Sequence, residues 1–89
     1  MRVDQYLNKV CLIKTRSMAK KACDLNLVKI NGKIAKASSI VTAEDEIEYS
    51  LSGYKNLIKV KVVPAGNVSK ATAPQYYEFL ERNKIDLEF

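Results

Sequence analysis

The side chains with the clearest chemical potential are long cations on a segment with helical spacing. Arg16 and Lys20 are four residues apart, so on an α-helix they would lie one above the other on an exposed face, with Lys21 toward its edge. Cations spaced along a surface can meet successive phosphates of a polyanion. The planar fork of Arg16 can also hold one phosphate bidentately or stack on a base. The spacing predicts a phosphate-binding face centred on Arg16.

Charge is segregated along the chain of 89 residues. Residues 1–40 contain nine basic and two acidic side chains, a net charge of +7, whereas residues 41–89 contain six basic and eight acidic ones, a net charge of −2. Solubility alone would be served by evenly spread charge. A segregated positive half indicates a polyanionic partner.

Residue types exclude several other functions. The chain has no histidine and only two cysteines, too few for a disulfide scaffold or a zinc site, so we predict no metal, no cofactor and two reduced thiols, at least one of them in the core. No pair of acid and base groups converges, which argues against an enzyme. No apolar run could span a bilayer and no signal peptide is apparent, which predicts a cytoplasmic protein without a membrane partner.

Two helices should position the cations. In the first, an apolar side made of Tyr6, Leu7, Val10 and Cys11 follows Asp4, which we expect to cap the helix or pair with a cation. Thr15 predicts the start of the second helix, over residues 16–25, and Asn26 its left-handed end. One arc of that helix is apolar and should be buried: Met18, Ala19, Ala22 and Leu25.

The hydrophobic period then changes to two. Val28-Lys29-Ile30 is a predicted strand, and Asn31-Gly32 is a strong hairpin signal. Lys33 and Lys36 surround this turn. If helix and hairpin pack side by side, their cations converge on one surface. Further strands are predicted at residues 46–49 and 57–62.

The C-terminal segment predicts a last helix. Residues 64–71 are linker-like, and Thr72 followed by Gln75, with Pro74 between them, resembles a capping box. A helix over residues 74–83 would carry an apolar stripe of Tyr76, Tyr77, Phe79 and Leu80. These aromatic rings could stack on bases, but helical spacing favours core packing.

Five motifs in order carry a resemblance to a known family. They are Arg2–Leu7, Ile13–Ala19, Val28–Gly32, Lys36–Ser38, and Val41 with Asp45–Ile47. Together they resemble the RNA-binding domain (αL motif) of small-subunit ribosomal protein S-four, over residues 2–50. The whole chain is similar in length and layout to the stand-alone heat-shock-protein-fifteen and RqcP ribosome-quality-control family.

The resemblance implies an α+β fold, with two N-terminal helices packed on a small, mainly antiparallel sheet and a short C-terminal helix. We expect residues 1–62 to form the S-four-type domain with an added strand, and residues 63–89 a linker and helix. The implied function is quality control of stalled large ribosomal subunits carrying peptidyl-tRNA, including template-free tailing of the nascent chain. The implied partners are large-subunit rRNA, tRNA and a tailing-elongation factor, with the chain acting as a monomer.

Carried over position by position, the resemblance implies RNA contacts at Arg2, Lys14, Arg16, Lys20, Asn31, Lys33, Lys36 and Ser38, to which the helix face adds Lys21. Alternatives stay open at three of these positions. Arg2 could pair with Asp4, Ser38 could bond to the local backbone, and Asn31 is first a turn residue. The family usually has glycine where this chain has Asn26 and Glu44.

Other functions fit the residues less closely. The chain could be a generic rRNA- or tRNA-binding accessory protein without a quality-control role. The same RNA-binding domain accompanies pseudouridine synthases and tyrosyl-tRNA synthetases, but no catalytic domain is present in these 89 residues. A protein-interaction adaptor that uses the acidic second half is the remaining alternative.

Overall fold

The computed structural model describes residues 1–51 and 53–84. Its elements follow in the order α1 (Val3–Lys9), α2 (Arg16–Asp24), β1 (Val28–Ile30), β2 (Lys33–Ile34), β3 (Glu46–Leu51), β4 (Tyr54–Val60), a 3₁₀ turn (Ala73–Gln75) and β5 (Tyr77–Lys84). This is the expected α+β fold, with one difference at the C-terminal end. No helix in the described ranges is long and apolar enough to cross a membrane.

Local signals explain the two helices. The hydroxyl of Thr15 accepts a hydrogen bond of 3.1 Å from the Met18 backbone N–H, which confirms the predicted cap of α2. Asp4, by contrast, lies inside the first turn of α1, whose cap is Arg2 without a side-chain bond. The buried arc of α2 is also narrower than predicted, since Ala19 and Ala22 are buried whereas Met18 and Leu25 are exposed.

All five strands form one antiparallel sheet in the order β2-β1-β3-β4-β5. Asn31 and Gly32 both have positive φ, 50° and 82°, as a two-residue type I′ hairpin between β1 and β2 requires. Asn26 and Glu44 also have positive φ, 60° and 76°. These are the two positions where the resemblance implies glycine, and the backbone has the left-handed conformation there.

The core lies between the two helices and one face of the sheet. Its largest fully buried side chains come from both layers: Tyr6, Leu7, Ile13, Ile47 and Ile58. Cys23 is buried too, and burial raises the pKa of its thiol to about 11, so it stays protonated at neutral pH. The prediction that at least one thiol lies in the core is therefore confirmed, while Cys11 is exposed because α1 ends at Lys9 and Cys11 follows with φ of 62°.

The predicted C-terminal helix is wrong. Thr72 caps nothing with its side chain, and after the single 3₁₀ turn the chain becomes β5, antiparallel to β4. The aromatic sequence of this segment fits a strand as well as a helix, and over so short a run the two periods are hard to separate. Pairing with β4 satisfies backbone groups that a helix would have left unpaired along the edge of β4. The domain boundary at residue 62 stays a prediction.

Candidate nucleic-acid interface

A buried carboxylate organises the basic N-terminal region. Asp4 is 1% exposed, and its Oδ1 atom accepts a 2.7 Å hydrogen bond from the Gln5 backbone N–H. Arg2 reaches it through Nε, 3.2 Å from Oδ1, and through Nη2, which donates to Oδ2 at 3.3 Å. Arg16 approaches from α2, with Nε 3.7 Å from Oδ2. Asp4 therefore holds two arginines from separate segments beside each other.

Neither arginine is sequestered by this carboxylate. The side chains of Arg2 and Arg16 stay 42% and 52% exposed, while that of Asp4 is 2% exposed. The carboxylate lies beneath the guanidinium groups and restricts their positions. A planar guanidinium fixed from below and open on its other side can still hold a phosphate oxygen.

The exposed face of α2 continues from this pair. Lys20 and Ser17 line an open depression of about 310 Å³ together with Arg2, Asp4 and Arg16. Arg16 and Lys20 stand one turn apart on α2, as the sequence predicts. Three cations thus surround one concave patch with a single buried acid at its floor.

The loop after β2 extends the patch on one side. Lys36 and Ser38 line a second depression that shares Arg2 and Lys20 with the first. The Lys36 backbone N–H donates a 2.9 Å hydrogen bond to the Ser39 hydroxyl, which fixes the turn between them. The side chains of Lys36 and Ser38 are both exposed, as predicted.

The turn after α1 extends the concave patch on its other side. Lys14 and Arg16 line a third depression, whose further walls include Asn67 from the segment after β4. The side-chain amide of Asn8 donates 3.2 Å hydrogen bonds to the carbonyls of Ile13 and Lys14 and so fixes this turn. Through shared lining residues the three depressions form one region, to which Lys9 also contributes in the third depression. The predicted RNA contacts that line this region are here called the cationic surface: Arg2, Lys14, Arg16, Lys20, Lys36 and Ser38.

Three of the predicted contacts lie apart from this surface. Asn31 uses its side chain within the fold: its amide nitrogen donates to Asp45 at 3.0 Å and its oxygen accepts from the Glu46 N–H at 2.9 Å. Lys33 lines none of the three depressions; in β2 it stands opposite Ile30 of β1, while its neighbour Ile34 lines the second depression. Lys21 is exposed on α2 but stands 100° around the helix from Lys20.

The lysines of the sheet have a different environment. On the face away from the helices, Lys29 and Lys55 both pair with Glu48, at 3.9 and 3.3 Å, and Lys59 pairs with Glu44 at 2.9 Å. In the part of the chain that the structure describes, no carboxylate lies within 4.0 Å of Lys14, Lys20 or Lys36. Positive potential is therefore concentrated on the cationic surface and neutralised on the outer sheet face.

Two features escaped the sequence reasoning. Asp4 was expected to cap or pair, but its position beneath two arginines depends on how α1 and α2 pack. The one available signal was an acid isolated in a strongly basic segment. Asn67 reaches the surface from a segment that reads as a linker, and nothing in the sequence indicates its proximity. Within the described ranges, no three His, Cys, Asp or Glu side chains gather in a way that could hold a metal ion.

Fold and surface together define a small α+β domain of the nucleic-acid-binding class. Residues 1–47 match the model of the S4 domain family. Over 86 residues the chain is 30% identical to the RQC P-site tRNA stabilizing factor of Streptococcus pneumoniae, covering 97% of each chain. It is 35% identical to the protein of the same name from Bacillus subtilis, covering 96% of this chain and 98% of the relative.

A solved structure agrees with these sequence matches. Trimeric Heat Shock Protein 15 of Vibrio cholerae superposes with a TM-score of 0.82 at 25% identity, covering 89% of this chain and 80% of that one. The chain belongs to the S4 domain family and, within it, to the family of RQC P-site tRNA stabilizing factors. The resemblance read from the five motifs is confirmed.

Proposed function

We propose that this protein binds RNA on the large ribosomal subunit and stabilises tRNA in the P site during ribosome quality control. The observation that carries the proposal is the convergence of cations from three separate segments around Asp4. Such an array suits a phosphate backbone, and each phosphate neutralised releases condensed counterions. The names of the relatives support tRNA at the P site as the target.

The finer features of the proposal concern its partners. The protein contacts large-subunit rRNA as well as peptidyl-tRNA, acts as a monomer beside a tailing-elongation factor, and supports template-free extension of the stalled chain. Its role is binding, without catalysis. Folded RNA presents phosphates on two neighbouring strands, and a surface with cations on three segments suits that arrangement better than a single extended strand.

Cosedimentation with large subunits tests the surface. The double variant Arg16→Gln/Lys20→Gln removes two charges from the cationic surface, whereas Lys55→Gln/Lys59→Gln removes the same charge from the outer sheet face. We expect the first variant to lose cosedimentation and the second to keep it, with unchanged far-ultraviolet circular dichroism for both. Equal behaviour of the two folded variants would contradict the proposed surface.

Crosslinking separates the quality-control role from generic RNA binding. Ultraviolet crosslinking in cells followed by sequencing of the bound RNA should recover large-subunit rRNA and tRNA together. The variant Arg16→Gln/Lys20→Gln serves as the control and should recover neither large-subunit rRNA nor tRNA. Recovery of diverse cellular RNAs without enrichment of either would favour a generic accessory protein.

A further inference from the structure

The last strand has two chemically different faces. Glu78 and Glu81 stand opposite Lys59 and Leu57 of β4, on the outer side of the sheet. The alternating positions stand opposite the helix-facing residues of β4, from Val60 to Tyr54, and are aromatic or basic: Tyr77, Phe79, Arg82 and Lys84. A register irregularity between Leu57 and Ile58 maintains this separation along the strand. All the acids of β5 are thus on one face, and its cations and rings are on the other.

The helix-facing side of β5 is only partly covered by the core. Tyr77 packs against the core, and the Phe79 ring contacts the Tyr77 ring edge-on, with the two ring centroids 5.4 Å apart. Phe79 itself is 49% exposed. Further along, the guanidinium of Arg82 lies over the Tyr54 ring, 4.5 Å from its centroid. Two rings are therefore followed by two cations along a strip on this side of β5, with the Tyr54 ring beneath Arg82.

Such a strip has the composition of a base-stacking platform. Aromatic side chains accept unpaired bases of any sequence because every base has a π-face, and neighbouring cations bind the connecting phosphates. An arginine held over a tyrosine ring is already oriented, so stacking a base on it costs little additional conformational entropy. The acids that would repel phosphate are on the opposite face.

This strip is separate from the cationic surface. Its residues belong to β4 and β5, and none of them lines the three depressions of the cationic surface, whose cations come from residues 2–20 and the loop after β2. One RNA segment could cover the cationic surface while a second, unpaired segment lies on β5.

We propose that Tyr54, Phe79, Arg82 and Lys84 form a second RNA-binding site, which holds unpaired nucleotides by stacking and phosphate contact. Its occupant is single-stranded RNA. This site goes beyond the proposed function, which depends on the α2 side of the molecule.

Binding of a labelled ten-nucleotide oligoadenylate tests the site, measured by fluorescence anisotropy at low salt on the full chain. Phe79→Ala should weaken binding about 5- to 150-fold, the effect of losing one stacked base, while Phe79→Tyr, which keeps the ring, should retain it. Glu81→Gln on the opposite face is the control and should not weaken binding. Equal affinity of Phe79→Ala and the wild-type protein would overturn the proposal.

Mapping distinguishes this site from the first. In nuclear magnetic resonance titrations with the oligoadenylate, we expect backbone shifts at Phe79 and Arg82 that persist in Arg16→Gln/Lys20→Gln. If the shifts appear only on α2 and disappear in that double variant, the second site does not exist, although the proposed function would stand. Conversely, if Arg16→Gln/Lys20→Gln binds large subunits as tightly as the wild-type protein does, the proposed function is refuted and the β5 site is unaffected.

Discussion

Salt dependence should report how many cations of the cationic surface meet phosphates. The surface presents five: Arg2, Lys14, Arg16, Lys20 and Lys36. Each phosphate contact contributes about −0.7 to −0.9 to the slope of log affinity against log salt, so five contacts give a slope of about −3.5 to −4.5. Raising monovalent salt from about 100 to 300 mM should then weaken binding about 50- to 140-fold.

Removing two contacts changes that slope by a defined amount. For Arg16→Gln/Lys20→Gln the remaining three contacts give about −2.1 to −2.7, so the same salt change should weaken binding only about 10- to 20-fold. The assay is equilibrium binding of fluorescently labelled protein to purified large subunits carrying P-site tRNA, at five salt concentrations and constant Mg²⁺.

The matched control is Lys55→Gln/Lys59→Gln, which should keep the wild-type slope because both lysines pair with glutamates on the outer sheet face. A slope near zero for the wild-type protein, or equal slope changes in the two double variants, would show that the cationic surface does not meet phosphates. A changed affinity with an unchanged slope in Arg16→Gln/Lys20→Gln would also count against phosphate contact by these residues.

Three further predictions concern stability. Tyr6→Phe removes the 3.0 Å bond to the Tyr76 carbonyl, which retains two backbone donors, so we expect a loss of about 1 kcal/mol and a fall in Tm of about 4–8 °C by calorimetry. In urea, Asn31→Ala should lower the free energy of unfolding by about 2 kcal/mol. Asn31→Gly should lower it by about 1 kcal/mol less, because glycine avoids the strain at φ of 50°. Equal losses for the two variants would exclude that strain. Burial alone would raise the pKa of Asp45, but hydrogen bonds from Thr42 and Asn31 hold it below its ordinary 3.8, so its stabilisation is present at neutral pH and lost as pH falls through that lowered value. The stability difference between wild type and Asp45→Asn should shrink in urea titrations below pH 4, and a constant difference would contradict this.

Local rules recovered most of the N-terminal half. Thr15 caps α2, Asn31 and Gly32 form the hairpin, and Asn26 has the left-handed conformation, each because a short-range backbone requirement selects that residue type. The cations on one face of α2 followed from helical spacing alone. These features depend on neighbours within four residues, which a sequence displays directly.

Features that depend on packing partners were missed. The segment 77–84 is a strand because its backbone pairs with the edge of β4. The helical spacing of its apolar residues gives no information about that edge. Met18 is exposed although it adjoins buried Ala19, so the buried arc of α2 is narrower than its apolar arc. Asp4 lies beneath Arg2 and Arg16 only once α1 and α2 are packed, so its organising position is a tertiary property.

The decisive measurement is a structure of the large subunit isolated through this protein, with tRNA in the P site. We expect RNA phosphates within hydrogen-bond distance of Arg16 and Lys20, with Lys36 at the border of the same contact. The outer sheet face with Lys55 and Lys59 should point away from that RNA. RNA lying against the outer sheet face, with Arg16 facing solvent, would show that the cationic surface is not the RNA-binding face.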